Sequence, residues 1–211
     1  MIFKLFILIS VVIFTGNSLC QGNFYKVASG DGILKFNYSS GEASWGDYDN
    51  DGDVDFAVTG VNKVGGIVKG MMTSIYENVS STFQIKISEL TGLYNSSMAW
   101  GDYDNDGDVD LAIMGMDVSY TRLIIYRNDS GNFSYYVEPL GENKGVQYGD
   151  LAWGDYDNDG DVDLAITGTT EDISTMTKTM AGAVTKILRN DGGTFNLSLI
   201  HISEPTRPLY I

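Results

Sequence analysis

The chain has 211 residues and a formal net charge of −15, from 28 Asp plus Glu against 13 Lys plus Arg. Fifteen of the acids stand in three nine-residue windows, so the rest of the chain is balanced in charge. A neutral body with three dense anionic spots excludes a polyanion-binding surface, and no nucleic-acid partner is expected. With 25 Gly, 3 Pro and many Tyr, Ser and Thr, the composition favours an all-β class.

Residues 1–20 read as a signal peptide. Lys4 gives a positive start, Leu5 to Phe14 is a short apolar run, and Ser18 and Cys20 are small residues before a cleavage point at Gln21. The apolar run falls well short of the ~20 residues that span a bilayer, which argues against an uncleaved anchor. Lipidation of Cys20 is the other alternative, and Leu19 stands where a small residue is usual. Cleavage before Gln21 leaves no cysteine, so a secreted or cell-surface chain without disulfides and without a membrane span is expected.

From there the chain repeats. Ala-Trp-Gly-Asp-Tyr-Asp-Asn-Asp-Gly-Asp-Val-Asp begins at Ala99 and at Ala152, and again at Ser44 with Ser in place of Ala. Each copy runs into an apolar segment (Phe56–Gly60, Leu111–Gly115, Leu164–Gly168). A second run follows, ending in Asn78, Asn128 or Asn190, and then a run headed by Phe83, Phe133 or Phe195. Four extended segments per repeat, joined by Gly, Asn and Ser turns, predict four-stranded antiparallel blades around 41–95, 96–146 and 147–196. Asn23 to Val27 resembles the final segment of a repeat, so 22–37 is expected to be a blade-closing strand. β-Propellers carry four to eight such blades. The expectation is therefore an incomplete ring over 21–196, with the missing part beyond the C-terminus.

Residues 197–211 break the pattern inside the last strand. Leu197 to Arg207 resembles the translation of a sequencing-library adaptor, and the segment is expected to be non-native read-through. The single histidine, His201, lies there and is assigned no function.

The acidic windows carry the chemistry. Carboxylates fall at positions 1, 3, 5, 7 and 9: Asp47, Asp49, Asp51, Asp53 and Asp55; Asp102, Asp104, Asp106, Asp108 and Asp110; Asp155, Asp157, Asp159, Asp161 and Asp163. Alternate residues of a tight turn can converge on one ion, Gly52 and its counterparts allow the turn, and an all-oxygen donor set suits calcium rather than softer metals. Three Ca2+ sites are expected. By analogy with other such loops, positions 1, 3, 5 and 9 donate side chains and position 7 its carbonyl. An EF-hand is excluded, because position 12 is Val58, Ile113 or Ile166 in a β-prone run rather than Glu.

On these motifs the units resemble FG-GAP or VCBS-type repeats, which build calcium-binding β-propellers including the head of integrin alpha subunits. Trp45-Gly46 stands where Phe-Gly is common, and no integrin-type ligand residues carry over. The resemblance implies calcium ligands among the fifteen aspartates. It also implies a secreted or cell-surface repeat module for extracellular binding or adhesion, with a protein or glycan ligand. The repeat body has no nucleophile–base pair, so no enzyme is expected. The alternative is the N-terminal scaffold of a calcium-dependent polysaccharide-active enzyme. Trp45, Trp100 and Trp153 are expected to pack between blades rather than stack on sugars. Asn37, Asn78, Asn95, Asn128 and Asn132 head glycosylation sequons.

Overall fold

A computed structural model describes residues 37–64, 67–80, 82–142, 144–170 and 182–198. The expected signal peptide, all but the last residue of the segment 22–37, and residues 199–211 lie outside these. The described chain is all-β, in three antiparallel sheets.

The second sheet is the simplest: β6 (Tyr94–Gly101), β7 (Asp110–Met116), β8 (Thr121–Asp129) and β9 (Asn132–Val137), each paired with the next. The third repeats it with β10 (Gln147–Gly154), β11 (Asp163–Thr169), β12 (Ala183–Asp191) and β13 (Thr194–Leu197). The first has five strands by count: β1 (Asn37–Ser39), β2 (Ala43–Gly46), β3 (Asp55–Val64), β4 (Ile67–Val79) and β5 (Thr82–Leu90).

The extra strand is one strand cut by a bulge. Both β1 and β2 pair with β3, at successive lengths of the same edge. In the other sheets the register slips at the same place, between Tyr94 and Ser97 and between Gln147 and Asp150. Ser40, Asn95 and Tyr148 mark it with φ of 56°, 51° and 53°. A residue in the left-handed region adds the extra unit that bends a bulged strand. Each sheet is therefore a four-stranded blade.

Tight hairpins close the blades. Ser130-Gly131 and Gly192-Gly193 both have positive φ at each central residue, the geometry of a two-residue type I′ turn. This joins β8 to β9 and β12 to β13. The last strand continues one residue past the expected break. Leu197 pairs with Leu188, and the Ser198 amide donates to the Ile187 carbonyl at 2.8 Å. The blade's hydrogen bonding thus extends into the segment that the pattern had assigned to read-through, because a backbone ladder does not depend on side-chain pattern.

Strand alternation gives each blade two apolar faces. Ala57 and Ile75 of the first blade face Leu111, Ile113, Ile124 and Tyr126 of the second, with Tyr48, Leu93 and Met98 completing that core. Ala112, Met114, Leu123 and Ile125 of the second face Leu164, Ile166 and Leu188 of the third. Each fully buried Leu or Ile contributes about 1.5–3 kcal/mol, so the stack of faces is the main source of stability. None of the sheets closes into a barrel. The arrangement is that of an incomplete β-propeller.

The Trp-Gly pair is a stacking device. The Trp100 ring lies on Gly46, and its Nε1 donates to the Ser44 carbonyl at 3.2 Å. Trp153 does the same on Gly101, donating to Ala99 at 3.2 Å. A Cβ at Gly46 or Gly101 would sit 2.8 Å or 2.6 Å from the indole. Glycine is required there because the next blade's tryptophan occupies the space. Trp100 and Trp153 pack between blades, as expected; Trp45 does not, being 41% exposed and set against Phe56 and Phe83 of its own blade.

Candidate metal centre

Each acidic loop links the first and second strands of its blade. Its shape repeats: the position-4 asparagines, Asn50, Asn105 and Asn158, have φ of 57°, 58° and 60°, and Gly52, Gly107 and Gly160 have 89°, 93° and 99°. Position 1 holds the turn, its Oδ2 accepting from the glycine amide at 3.1 Å for Asp47, 3.0 Å for Asp102 and 3.2 Å for Asp155. Position 9 anchors it. Asp55 accepts from the Tyr48 and Asn78 amides, Asp110 from Tyr103 and Asn128, and Asp163 from Tyr156 and Asn190.

The turn brings positions 1, 3 and 9 together. Asp47, Asp49 and Asp55 each offer a carboxylate oxygen within 4.8 Å of the others, as do Asp102, Asp104 and Asp110, and Asp155, Asp157 and Asp163. Positions 5 and 7 do not join these groups. The position-5 carboxylates accept from the position-7 amides: Asp51 from Asp53, Asp106 from Asp108 and Asp159 from Asp161. At position 7, Asp108 accepts from Asn50 Nδ2 on one oxygen and from the Ser130 amide on the other. Asp161 accepts from Asn105 Nδ2 and from the Gly192 amide in the same way. These two side chains bind the preceding blade's loop to their own blade's hairpin.

The triads fit a cation. Asp47 Oδ1, Asp49 Oδ1 and Asp104 Oδ1 are buried without a hydrogen-bond partner. Buried carboxylate oxygens normally find a donor. Burial raises the carboxyls of Asp49 and Asp104, and each is raised further by the position-5 carboxylate beside it. At position 9 burial pushes Asp55 up to about 6 and Asp110 up to about 7, against the lowering effect of their backbone donors. A hard divalent cation held by oxygens would offset this repulsion.

Sequence reasoning missed the residues that couple the loops. Asn128 Nδ2 donates to the Tyr48 carbonyl of the preceding loop at 2.7 Å and to Val109 at 3.0 Å. Asn190 Nδ2 donates to Tyr103 at 2.6 Å and to Val162 at 3.1 Å. Both asparagines recur at one repeat position, which was their only sequence signal. Asn128 is buried, so its sequon is closed to a glycan in the folded chain.

Stacked four-stranded blades, with a three-carboxylate cluster in the same loop of each, define a β-repeat protein with one candidate metal site per repeat. Residues 102–166 match the family model described as FG-GAP-like repeat. That match and the four-stranded antiparallel sheets fit an FG-GAP repeat protein. No curated protein matches the chain. Among the described residues, no helix is long and apolar enough to cross a membrane.

Proposed function

We propose that the chain is a secreted or cell-surface calcium-binding repeat module whose blades present a binding surface to an extracellular protein or glycan. Its calcium is structural. The observation that carries this reading is the threefold carboxylate triad with buried, unpartnered oxygens in the first two loops. Positions 1, 3 and 9 would hold Ca2+, aided by the position-7 carbonyl. The position-5 carboxylates, expected as direct ligands, would act through the position-7 amide that they fix. The bound ion would supply positive charge that joins the first and second strands of a blade. Apart from Asp53, the aspartates of the loops thus divide into ligands and loop braces, which leaves no pair of them for catalysis.

Binding to the folded state alone stabilises by RT ln(1 + [L]/Kd), and extracellular calcium modules have Kd of about 10⁻⁴–10⁻³ M. At ~1 mM free calcium this is about 1 kcal/mol per site. The test is equilibrium dialysis with a thermal melt in calcium and in chelator. Calcium should raise the melting temperature, and Asp49→Ala or Asp104→Ala should each remove part of the rise. No bound calcium and an unchanged melt refute the reading.

A further inference from the structure

The first two loops share a sequence, and each is bridged to the blade that follows, yet their charge surroundings differ. The residue that precedes the anchoring asparagine is Glu77 in the first blade and Arg127 in the second. The registers place them equivalently, since Phe56 pairs with Tyr76 and Leu111 with Tyr126. Arg127 leans over its loop: Nε lies 3.2 Å from Asp104 Oδ2, and Nη2 lies 3.2 Å from Asp106 and 2.8 Å from Asp129. Asp106 then has both oxygens engaged, one with Arg127 and one with the Asp108 amide. Asp102 is also fully engaged, by the Asp106 and Gly107 amides. Among the described residues no cationic side chain pairs with the first triad. Glu77 stands where Arg127 does, its charge balanced by Lys86 at 3.1 Å, and Asp47 and Asp49 each keep a buried unpartnered oxygen.

We propose that this position sets calcium affinity loop by loop: Arg127 makes the second loop the weaker site, and the first, where the ion-paired Glu77 stands instead, is the tighter. The inference rests on the calcium reading above. Arg127 does not block the second triad, because Asp104 Oδ1 stays free; it neutralises the charge that would draw the ion. A unit charge about 6 Å from a divalent ion changes its affinity about tenfold in a water-like dielectric, reduced to several-fold by salt at ~0.15 M.

The experiment measures calcium affinity by equilibrium dialysis on the full chain. Asp104→Asn with Asp157→Asn leaves the first loop intact, and Asp49→Asn with Asp157→Asn leaves the second. The first should bind at least about fivefold more tightly at ~0.1 M salt, with the gap narrowing at ~0.5 M. On the second-loop background Arg127→Gln should tighten binding about fivefold, while Arg127→Lys, which keeps the charge, should not. On the first-loop background Glu77→Arg should weaken it. Equal affinities, or an unchanged second loop in a folded Arg127→Gln protein, overturn the ordering alone. Absence of calcium binding by both loops overturns the calcium reading and the ordering with it.

Discussion

The second and third acidic loops are identical in sequence from Gly101 to Leu111 and from Gly154 to Leu164, and their asparagine and glycine φ angles agree to within a few degrees. Their surroundings differ. Tyr103 is 1% exposed beneath Tyr136 and Phe195, whereas Tyr156 is 37% exposed. Trp153 covers Gly101, while nothing among the described residues comes within 4 Å of a Cβ at Gly154. Asp102 and Asp104 are half-buried, and Asp155 and Asp157 are exposed. The shape of the loop is therefore local, written in its own residues. The burial that strains its carboxylates is supplied by the next blade.

The largest effect that would break this account is expected at the asparagine clamps. Asn128→Ala would leave the Tyr48 and Val109 carbonyls and the Gly131 amide without their partner. Three lost bonds at about 1 kcal/mol each predict a loss of ~3 kcal/mol in urea unfolding. Among the described residues Asn78 Nδ2 donates only to Val54, so Asn78→Ala should cost about 1 kcal/mol. Equal losses would show that the clamp to the preceding loop contributes nothing. Next comes the tryptophan seat. Gly101→Ala forces a Cβ to 2.6 Å from Trp153 and should cost about 1–3 kcal/mol as overpacking. Gly154→Ala meets nothing within 4 Å and should stay within ~0.5 kcal/mol of wild type.

The third expectation concerns pH. Burial raises the carboxyl of Asp55 to about 6 and that of Asp110 to about 7, above the usual carboxylate range. The metal-free folded state thus holds protons that the unfolded chain releases. Stability from these groups is fully present at low pH and is lost as pH rises towards 7. The metal-free protein should melt at a higher temperature at pH 5 than at pH 7.5, with these two groups driving the difference. Calcium should raise the melt at pH 7.5 more than at pH 5, because protons compete for the same oxygens. A metal-free melting temperature that climbs from pH 5 to 7.5 would contradict the burial of position 9.

Much of this was legible in the sequence. Fifty-odd-residue spacing of the Trp-Gly-Asp motif and four apolar runs per repeat sufficed for the blades, because period-2 patterning and turn residues are local signals. So was a convergence of carboxylates within the turn, though the expected side chains were those at positions 1, 3, 5 and 9 and the structure groups 1, 3 and 9. The division of labour among the fifteen aspartates was not. Asp108 and Asp161 turn away because their partners, Asn50 and Asn105, arrive from the preceding blade. The difference between Glu77 and Arg127 was visible in the aligned runs, but only the register shows that this position overhangs the loop. The bulges at Ser40, Asn95 and Tyr148 have no common residue type and could not be read at all.

The smallest effect gives the sharpest contrast between the two identical loops. Asn105 and Asn158 both occupy the left-handed region, which asparagine tolerates and glycine adopts freely. Replacement by glycine keeps the backbone angle available and removes only the side chain. At Asn105 that side chain donates to Asp161 Oδ1 at 2.8 Å, an exposed bond to a carboxylate that ties the second loop to the third. Its loss should cost about 0.5–1 kcal/mol, added to a small penalty for glycine's freedom in the unfolded chain. At Asn158 no neighbouring loop accepts the amide among the described residues, so Asn158→Gly should show the glycine penalty alone. Subtracting one from the other isolates the loop-to-loop bond. The difference should also fall when Asp161 is first changed to Ala, as a double-mutant cycle requires of a direct pair. Identical values for the two substitutions would mean that the loops stand side by side without holding one another, and that blade stacking alone sets their spacing.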